Sequence, residues 1–375
     1  MRVPFANFRR TVDALRPELD AAIARVLDSG WFLLGREGEE FERDFAAWVG
    51  TSHAAGCASG TDAIELALRA LGIGAGDEVV TQANTCVPTV AAIARAGATP
   101  VLCDVEPEAA TIDPDSLAGA LSPRTRAVVP VHLYGQIGDI DAVEALAREH
   151  GLAVIEDCAQ AHGASAGGRN AGTVGAAAAF SFYPTKNLGA FGDGGAVVTS
   201  DAELDERLRL VRQYGQADRY HHVAEGVNSR LDEVQAALLR VRLAHLDAGN
   251  ARRAAIADHY DEALSGSPVE PLRRLPDRNH VFHLFVVTTP ERERFQEALE
   301  EQGVATLVHY PRPIHGHPPY AALGRGPVPL ANAERLSNEV VSLPIYPELT
   351  DAEVEHVGSA AREAAATAYR GAATN

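Results

Sequence analysis

Lys186 is the only lysine among the 33 basic side chains of this 375-residue sequence; every other one is arginine. A guanidinium stays protonated and does not condense with a carbonyl. An amine can shed its proton when desolvated and become a nucleophile. The stretch Ser181-Phe182-Tyr183-Pro184-Thr185-Lys186-Asn187-Leu188-Gly189 therefore marks a candidate Schiff-base lysine. The count by itself allows an ordinary surface lysine equally well, so the neighbouring motifs have to decide.

A Schiff-base lysine points to an aldehyde cofactor such as pyridoxal 5'-phosphate (PLP), which needs an anion site, a ring-nitrogen partner and a permissive backbone. Cys57-Ala58-Ser59-Gly60-Thr61-Asp62 leads small residues into a helical pattern. The free N–H groups of a helix start suit a phosphate, although a plain N-cap reads the same way. Asp157 closes the apolar run Val154-Ile155-Glu156-Asp157. A carboxylate placed there needs a partner, because burying it bare is costly. That partner is either a protonated pyridine nitrogen, which keeps the ring an electron sink, or an arginine such as Arg126 or Arg148. Gln160 is placed to meet a ring hydroxyl or to brace a turn, and Ser181 offers a hydroxyl to a phosphate. Gly189, Gly192, Gly194 and Gly195 give a permissive backbone beside the ligand, and Asn228-Ser229 reads as a turn ahead of a helix.

Stepping outward, short apolar runs at 78–81, 100–104, 127–131, 153–157, 177–182 and 196–199 alternate with helical patterns at 61–71, 87–96 and 140–150. That rhythm predicts an α/β fold, a mostly parallel sheet covered by helices, with ligands beyond the carboxyl ends of its strands. Two amphipathic helices precede it, over 11–28 and 37–49, and the stripe Phe41, Phe45, Trp48 reads as core. Beyond about residue 245 the pattern changes to a helix at 250–265, a Pro/Arg-rich connection at 268–277 and a strand at 282–288. A helix at 291–302, a Pro/His-rich loop at 309–319, a helix at 350–367 and a frayed tail over 364–375 follow. This predicts a large domain over 1–248 and a smaller α+β domain over 249–375, with the N-terminal helix free to pack on the latter.

Five segments, A-S-G-T-D-A (58–63), V-I-E-D-C-A-Q-A-H-G (154–163), S-F-Y-P-T-K-N-L-G (181–189), G-D-G-G-A-V-V-T (192–199) and N-S-R-L-D-E-V-Q-A-A (228–237), occur in one order and spacing. Taken together the chain resembles the DegT/StrS-type nucleotide-sugar aminotransferases, PLP enzymes of the aspartate-aminotransferase fold type. The resemblance implies that Lys186 carries the cofactor, Asp157 meets its ring nitrogen and Gln160 its hydroxyl. It also implies that Gly60, Thr61 and Ser181 hold its phosphate, and that Asn228 reaches the phosphate of a neighbouring subunit, which makes a homodimer part of the site. Many members of that family place an aromatic ring over the cofactor face where Cys86 stands here. The implied reaction moves an amino group from L-glutamate to a 4-keto- or 3-keto-6-deoxy sugar linked to a nucleotide diphosphate such as dTDP. A keto-cyclitol acceptor and a non-catalytic regulatory protein of the same fold share these motifs. A related sugar dehydratase would carry histidine in place of Lys186.

A net charge of −18 argues against a nucleic-acid partner, which needs a basic face. A substrate diphosphate must then find local cations, and Arg212, Arg219, Arg230 and Arg312 are candidates. Tyr310 and His315 are candidates to line the sugar pocket. His309, His315 and His317 share no spacing with a carboxylate, so no metal is expected. The four cysteines show no C-x-x-C spacing, and no run of about 18 apolar residues exists. The expectation is a cytoplasmic protein with no membrane span.

Overall fold

The computed structural model describes residues 1–372. Seven strands form the central sheet: β1 (His53–Cys57), β2 (Glu78–Gln82), β3 (Thr99–Cys103), β4 (Thr125–Val129), β5 (Ala153–Asp157), β6 (Ala177–Ser181) and β7 (Gly195–Thr199). Their spatial order is β1-β7-β6-β5-β4-β2-β3. Every pairing is parallel except those of β7, which runs against both β6 and β1. The sequence pattern misses β1, because His-Ala-Ala-Gly-Cys has no β-branched residue and forms a strand only against β7.

The helices are α1 (Phe8–Ser29), α2 (Arg36–Val49), α3 (Gly60–Ala70), α4 (Val87–Arg95), α5 (Pro114–Ala120), α6 (Ile140–His150), α7 (Ala202–Val211), α8 (Glu233–Leu243), α9 (Leu246–Leu264), α10 (Arg292–Glu301), α11 (Ala331–Glu339) and α12 (Asp351–Ala372). Short capping residues start several of them. Ser59, Asp113, Asp139 and Asp201 each accept a backbone N–H from the first turn that follows. On one face of the sheet Phe41 and Phe45 of α2 pack edge-on to Phe182, and Phe45 also to Phe180. On the other face the apolar sides of α3, α4 and α7 are buried. Of the stripe anticipated as core, Phe41 and Phe45 are buried and Trp48 is half-buried against them.

A second core gathers α9, α10, α12 and a three-stranded antiparallel sheet made of Glu270–Pro271, Phe285–Thr288 and Val340–Leu343. Val3, from the very start of the chain, pairs with Val304 and is buried in this core. α1 buries Leu19, Ala22 and Val26 against Ala237 and Leu238 of α8, while Arg10 in its first turn pairs with Glu353 of α12 at 2.7 Å. α9 joins the two cores, Leu246 belonging to the first and Ile256 and Tyr260 to the second.

Two expectations change. The strand expected over 282–288 begins only at Phe285, because Phe282 sits at φ +44°. The tail expected to fray from 364 instead continues α12 to Ala372, with Ala364, Ala365 and Ala368 buried against the second core; residues 373–375 lie outside the described residues.

The start of α2 lacks a side-chain cap of its own. The buried carboxylate of Glu233, almost 200 residues later in the chain, accepts from the N–H groups of Gly35 (2.9 Å), Glu37 (2.9 Å) and Gly38 (3.0 Å) instead. Truncating it as Glu233→Ala leaves three orphaned donors at a positive helix end. The variant should lose about 1–3 kcal/mol, read as a lowered denaturant midpoint with an unchanged m-value.

Candidate active site

The carboxyl ends of β5 and β6, the starts of α3 and α4 and the turn after β6 surround one cavity of about 430 Å³. Successive residues of β5 face opposite sides of the sheet. Asp157 lines the cavity, and Glu156 points the other way. The Glu156 carboxylate meets His132 Nε2 (2.9 Å) and accepts from the N–H groups of Gly172 (3.1 Å), Val174 (2.9 Å) and Gly175 (3.2 Å). Cys158 completes a close buried trio with these two. The carboxylate's hydrogen bonds already account for the trio as a brace on the turn before β6.

Asp157 is buried, and one carboxylate oxygen accepts from Thr89 Oγ1 (2.9 Å), the other from Ala159 N–H (3.1 Å). Thr85 lies 3.1 Å from Thr89 and fixes its hydroxyl. The arginines that competed as partners are engaged elsewhere, Arg126 with Asp77 and Arg148 with Glu144. Burial pushes the Asp157 carboxyl up, against the pull of its two hydrogen bonds and of Lys186. The carboxylate thus lacks a cationic hydrogen-bond partner of its own, as expected if a bound ligand provides one.

Lys186 lies at the end of a tight turn, its N–H donating to Tyr183 O at 2.8 Å. Burial pushes its amine below the usual lysine value, while Asp157 and Cys86 pull it up. The cavity's other end is the start of α3. Ser59 Oγ accepts from Asp62 N–H (3.1 Å), and Ser59, Gly60, Thr61 and Ser181 line the wall. A Cβ on Gly60 would lie 2.6 Å from Ser181 Cβ, and one on Gly195 would overlap the Ser59 carbonyl. Glycine is required at both points for the helix start to approach so closely. An acid, an amine and a helix start lining one cavity suit the ring nitrogen, aldehyde and phosphate of PLP.

Gln160 lines the same cavity, with its carbonyl accepting from Tyr134 N–H (2.7 Å) and its amide donating to Tyr310 Oη (3.2 Å). One amide N–H remains for a ligand. Cys86, the N-cap of α4, and Tyr310 also line it. Asn228 does not: its side chain is exposed, although Ser229 beside it is buried and bonded to Asp62 (2.7 Å) and Ala58 N–H (3.0 Å) at the α3 end.

Two expected substrate residues are misplaced. Arg212 is buried away from the cavity, where it pairs with Glu42 and donates to Gly56 O (2.8 Å). His315 faces Glu334 at 3.0 Å and is outside the cavity. Arg219, Arg230 and Arg312 do not line it either.

The sequence pattern also missed His283 and Asn187. Asn187 Nδ2 donates to Val281 O (2.9 Å) and Asn250 Oδ1 (2.8 Å). Its Oδ1 must therefore accept from His283 Nδ1 (3.2 Å), which places the proton on Nδ1 and leaves Nε2 as the basic nitrogen. His283 lines the cavity, and burial holds it neutral. Only its position in the run Asn279-His280-Val281-Phe282-His283 could have drawn notice, and periodicity does not mark such a site.

Residues 13–362 match the family described as DegT/DnrJ/EryC1/StrS aminotransferases. The chain is 51% identical over 363 residues to dTDP-3-amino-3,4,6-trideoxy-alpha-D-glucose transaminase of Streptomyces venezuelae, covering 96% of each protein. It is 46% identical over 355 residues to dTDP-3-amino-3,6-dideoxy-alpha-D-galactopyranose transaminase of Aneurinibacillus thermoaerophilus, covering 95% of this chain and 97% of that one. The structure superposes with a TM-score of 0.94 on S. venezuelae DesV solved with a ketimine intermediate, at 51% identity over 97% of this chain and 98% of that one.

Burial also lowers His162 and His280 to about 3 and His309 to about 4. An unfolded histidine titrates near 6.5. Below that pH the unfolded chain binds more protons, so this stability is fully present above about 6.5 and is lost as pH falls toward about 4. Each such group contributes a slope of up to about 1.4 kcal/mol per pH unit. Denaturant titrations at pH 7.5 and 5.0 should show the loss, and His162→Phe, which keeps the ring packed on Phe180 and Phe182, should reduce it.

Proposed function

The chain belongs to the DegT/DnrJ/EryC1/StrS aminotransferase family, and from that premise we propose that it transfers the amino group of L-glutamate to the 3-keto group of a dTDP-linked deoxy sugar. PLP is the cofactor. The observation that carries the reading is the sole lysine of the chain, half-buried in one cavity with an otherwise cation-free aspartate and a glycine-bordered helix start. The choice of C3 and of dTDP rests on the names of the two relatives, both 3-amino dTDP-sugar transaminases.

When bound, the cofactor supplies an aldehyde that takes up the amino group and a cationic ring that draws electrons from the reacting carbon. The chain's own residues do the rest. Asp157 holds the proton on the ring nitrogen, and its orientation is fixed by Thr89 and Ala159. The first turn of α3 and Ser181 would hold the phosphate, and the free N–H of Gln160 would meet the ring hydroxyl. Lys186 Nζ, kept neutral and so free to accept a proton by burial, carries the proton to and from the reacting carbon. Cys86, which lines the cavity, would cover the cofactor with a small side chain and leave more room there than an aromatic ring would.

A homodimer completes the site. Trp31, Phe32 and Leu33 are consecutive exposed large apolar side chains, which supports a partner covering that segment. Asn228 is exposed beside the α3 end, from where it reaches the phosphate of a second copy. Among the described residues no helix is long and apolar enough to cross a membrane. All four cysteines are unpaired, which fits the reducing cytoplasm.

Borohydride should fix the cofactor on the Lys186 peptide, and Lys186→Ala should lower amino transfer by about 10²–10⁴-fold. A cofactor still covalently held by that variant contradicts the reading. Mixing Lys186→Ala chains with Asn228→Ala chains tests the shared site: if Asn228 acts across subunits, each mixed dimer regains one intact site and activity returns, whereas a role within one chain leaves both sites defective.

A further inference from the structure

A second cavity, about 340 Å³, lies on the other side of Lys186 and shares Thr185, Lys186, His283 and His309 with the first. We propose that it is the carboxylate subsite for the amino donor, a short acyclic dicarboxylate whose distal carboxylate is held by Arg242 and Arg253. The proposal rests on the aminotransferase reading and assigns residues to a substrate that reading leaves unplaced.

Of the two arginines buried outright among the described residues, Arg212 spends its charge on Glu42. Among the described residues Arg253 has no carboxylate within ion-pair distance: its Nη1 donates to Ile345 O (2.7 Å) and Phe282 O (3.1 Å). Arg242, also mostly buried, donates to Gly189 O and likewise makes no ion pair. Both line the second cavity. Burial brings Arg253 down to about 10, still cationic at neutral pH, and lowers Arg242; a guanidinium stays protonated in proteins. Uncompensated buried guanidinium charge is costly, and main-chain carbonyls offset only part of it.

The other polar groups facing this cavity do not neutralise the pair. Glu348 contributes one carboxylate, which accepts from Thr11 Oγ1 (2.6 Å) and stands outside ion-pair distance of both arginines. His283 and His309 are held neutral by burial. One positive charge is left in surplus, beside walls formed by Leu307, Ile345 and Phe8. A short methylene chain between two carboxylates suits that combination of apolar wall and cationic floor. The shared boundary at Lys186 lets such a molecule present its amino carbon to the first cavity while its far end stays in the second. A diphosphate is the other anion the reaction brings, so the test separates the two.

Leu307 borders the cavity through its side chain and is held by backbone bonds to Ser342, its N–H donating at 3.3 Å and its carbonyl accepting at 2.8 Å. Leu307→Glu therefore adds a negative charge without touching either arginine, and Leu307→Gln is its neutral control. Calorimetric titration of the holoenzyme with glutarate, which has no amino or keto group to react, should show affinity about 5- to 10-fold weaker in Leu307→Glu than in Leu307→Gln, with dTDP binding equal in the two. Equal glutarate affinity in both variants, or competition between dTDP and glutarate, overturns the proposal. Arg253→Gln should abolish glutarate binding while retaining the cofactor absorbance that reports a folded site. Loss of cofactor trapping on Lys186 in the unaltered enzyme would instead overturn the aminotransferase reading, so the two failures are distinct.

Discussion

An amine and a carboxylate share one poorly solvated cavity, and most of the molecule is arranged around that fact. Burial disfavours the charged form of each group. For Lys186 this is useful, since a neutral amine is the reactive form. For Asp157 it is a cost, met by two fixed hydrogen bonds from Thr89 and Ala159. The sheet makes this possible because β5 and β6 are adjacent and parallel. Their carboxyl ends then deliver Asp157 and the turn carrying Lys186 to one place.

The second consequence is that the site lies between two cores, and neither could hold it alone. Gln160 links the Tyr134 backbone to Tyr310. Asn187, next to Lys186, is bonded to Val281, Asn250 and His283. Arg253 gathers two carbonyls from separate segments. The cavity on the far side of the lysine turn is lined by residues from both parts of the chain.

The expected site residues that the structure gathers in one cavity are those next to a local pattern. Asp157 ends a continuous apolar run, Gly60 and Ser59 open a helix, and Lys186 stands alone in its chemistry. Each is next to the element that positions it. Arg212 and His315 fail for the opposite reason. An arginine or histidine seen in sequence has no partner, and here Glu42 and Glu334 claim them. The same limit hid Glu233 as the cap of a helix almost 200 residues earlier, and hid His283, whose tautomer depends on Asn187 from a distant segment.

Sequence alone determined the α/β class, the strand ends that border the cavity and the one amine that lies in it, because hydrophobic periodicity and residue type are local properties. Tertiary structure alone decided which charges are spent and which are free. Arg212 is neutralised, while Arg242 and Arg253 make no ion pair and border the lysine. Counter-ions are chosen by proximity in space, and proximity between distant segments is not written in any single stretch of the chain.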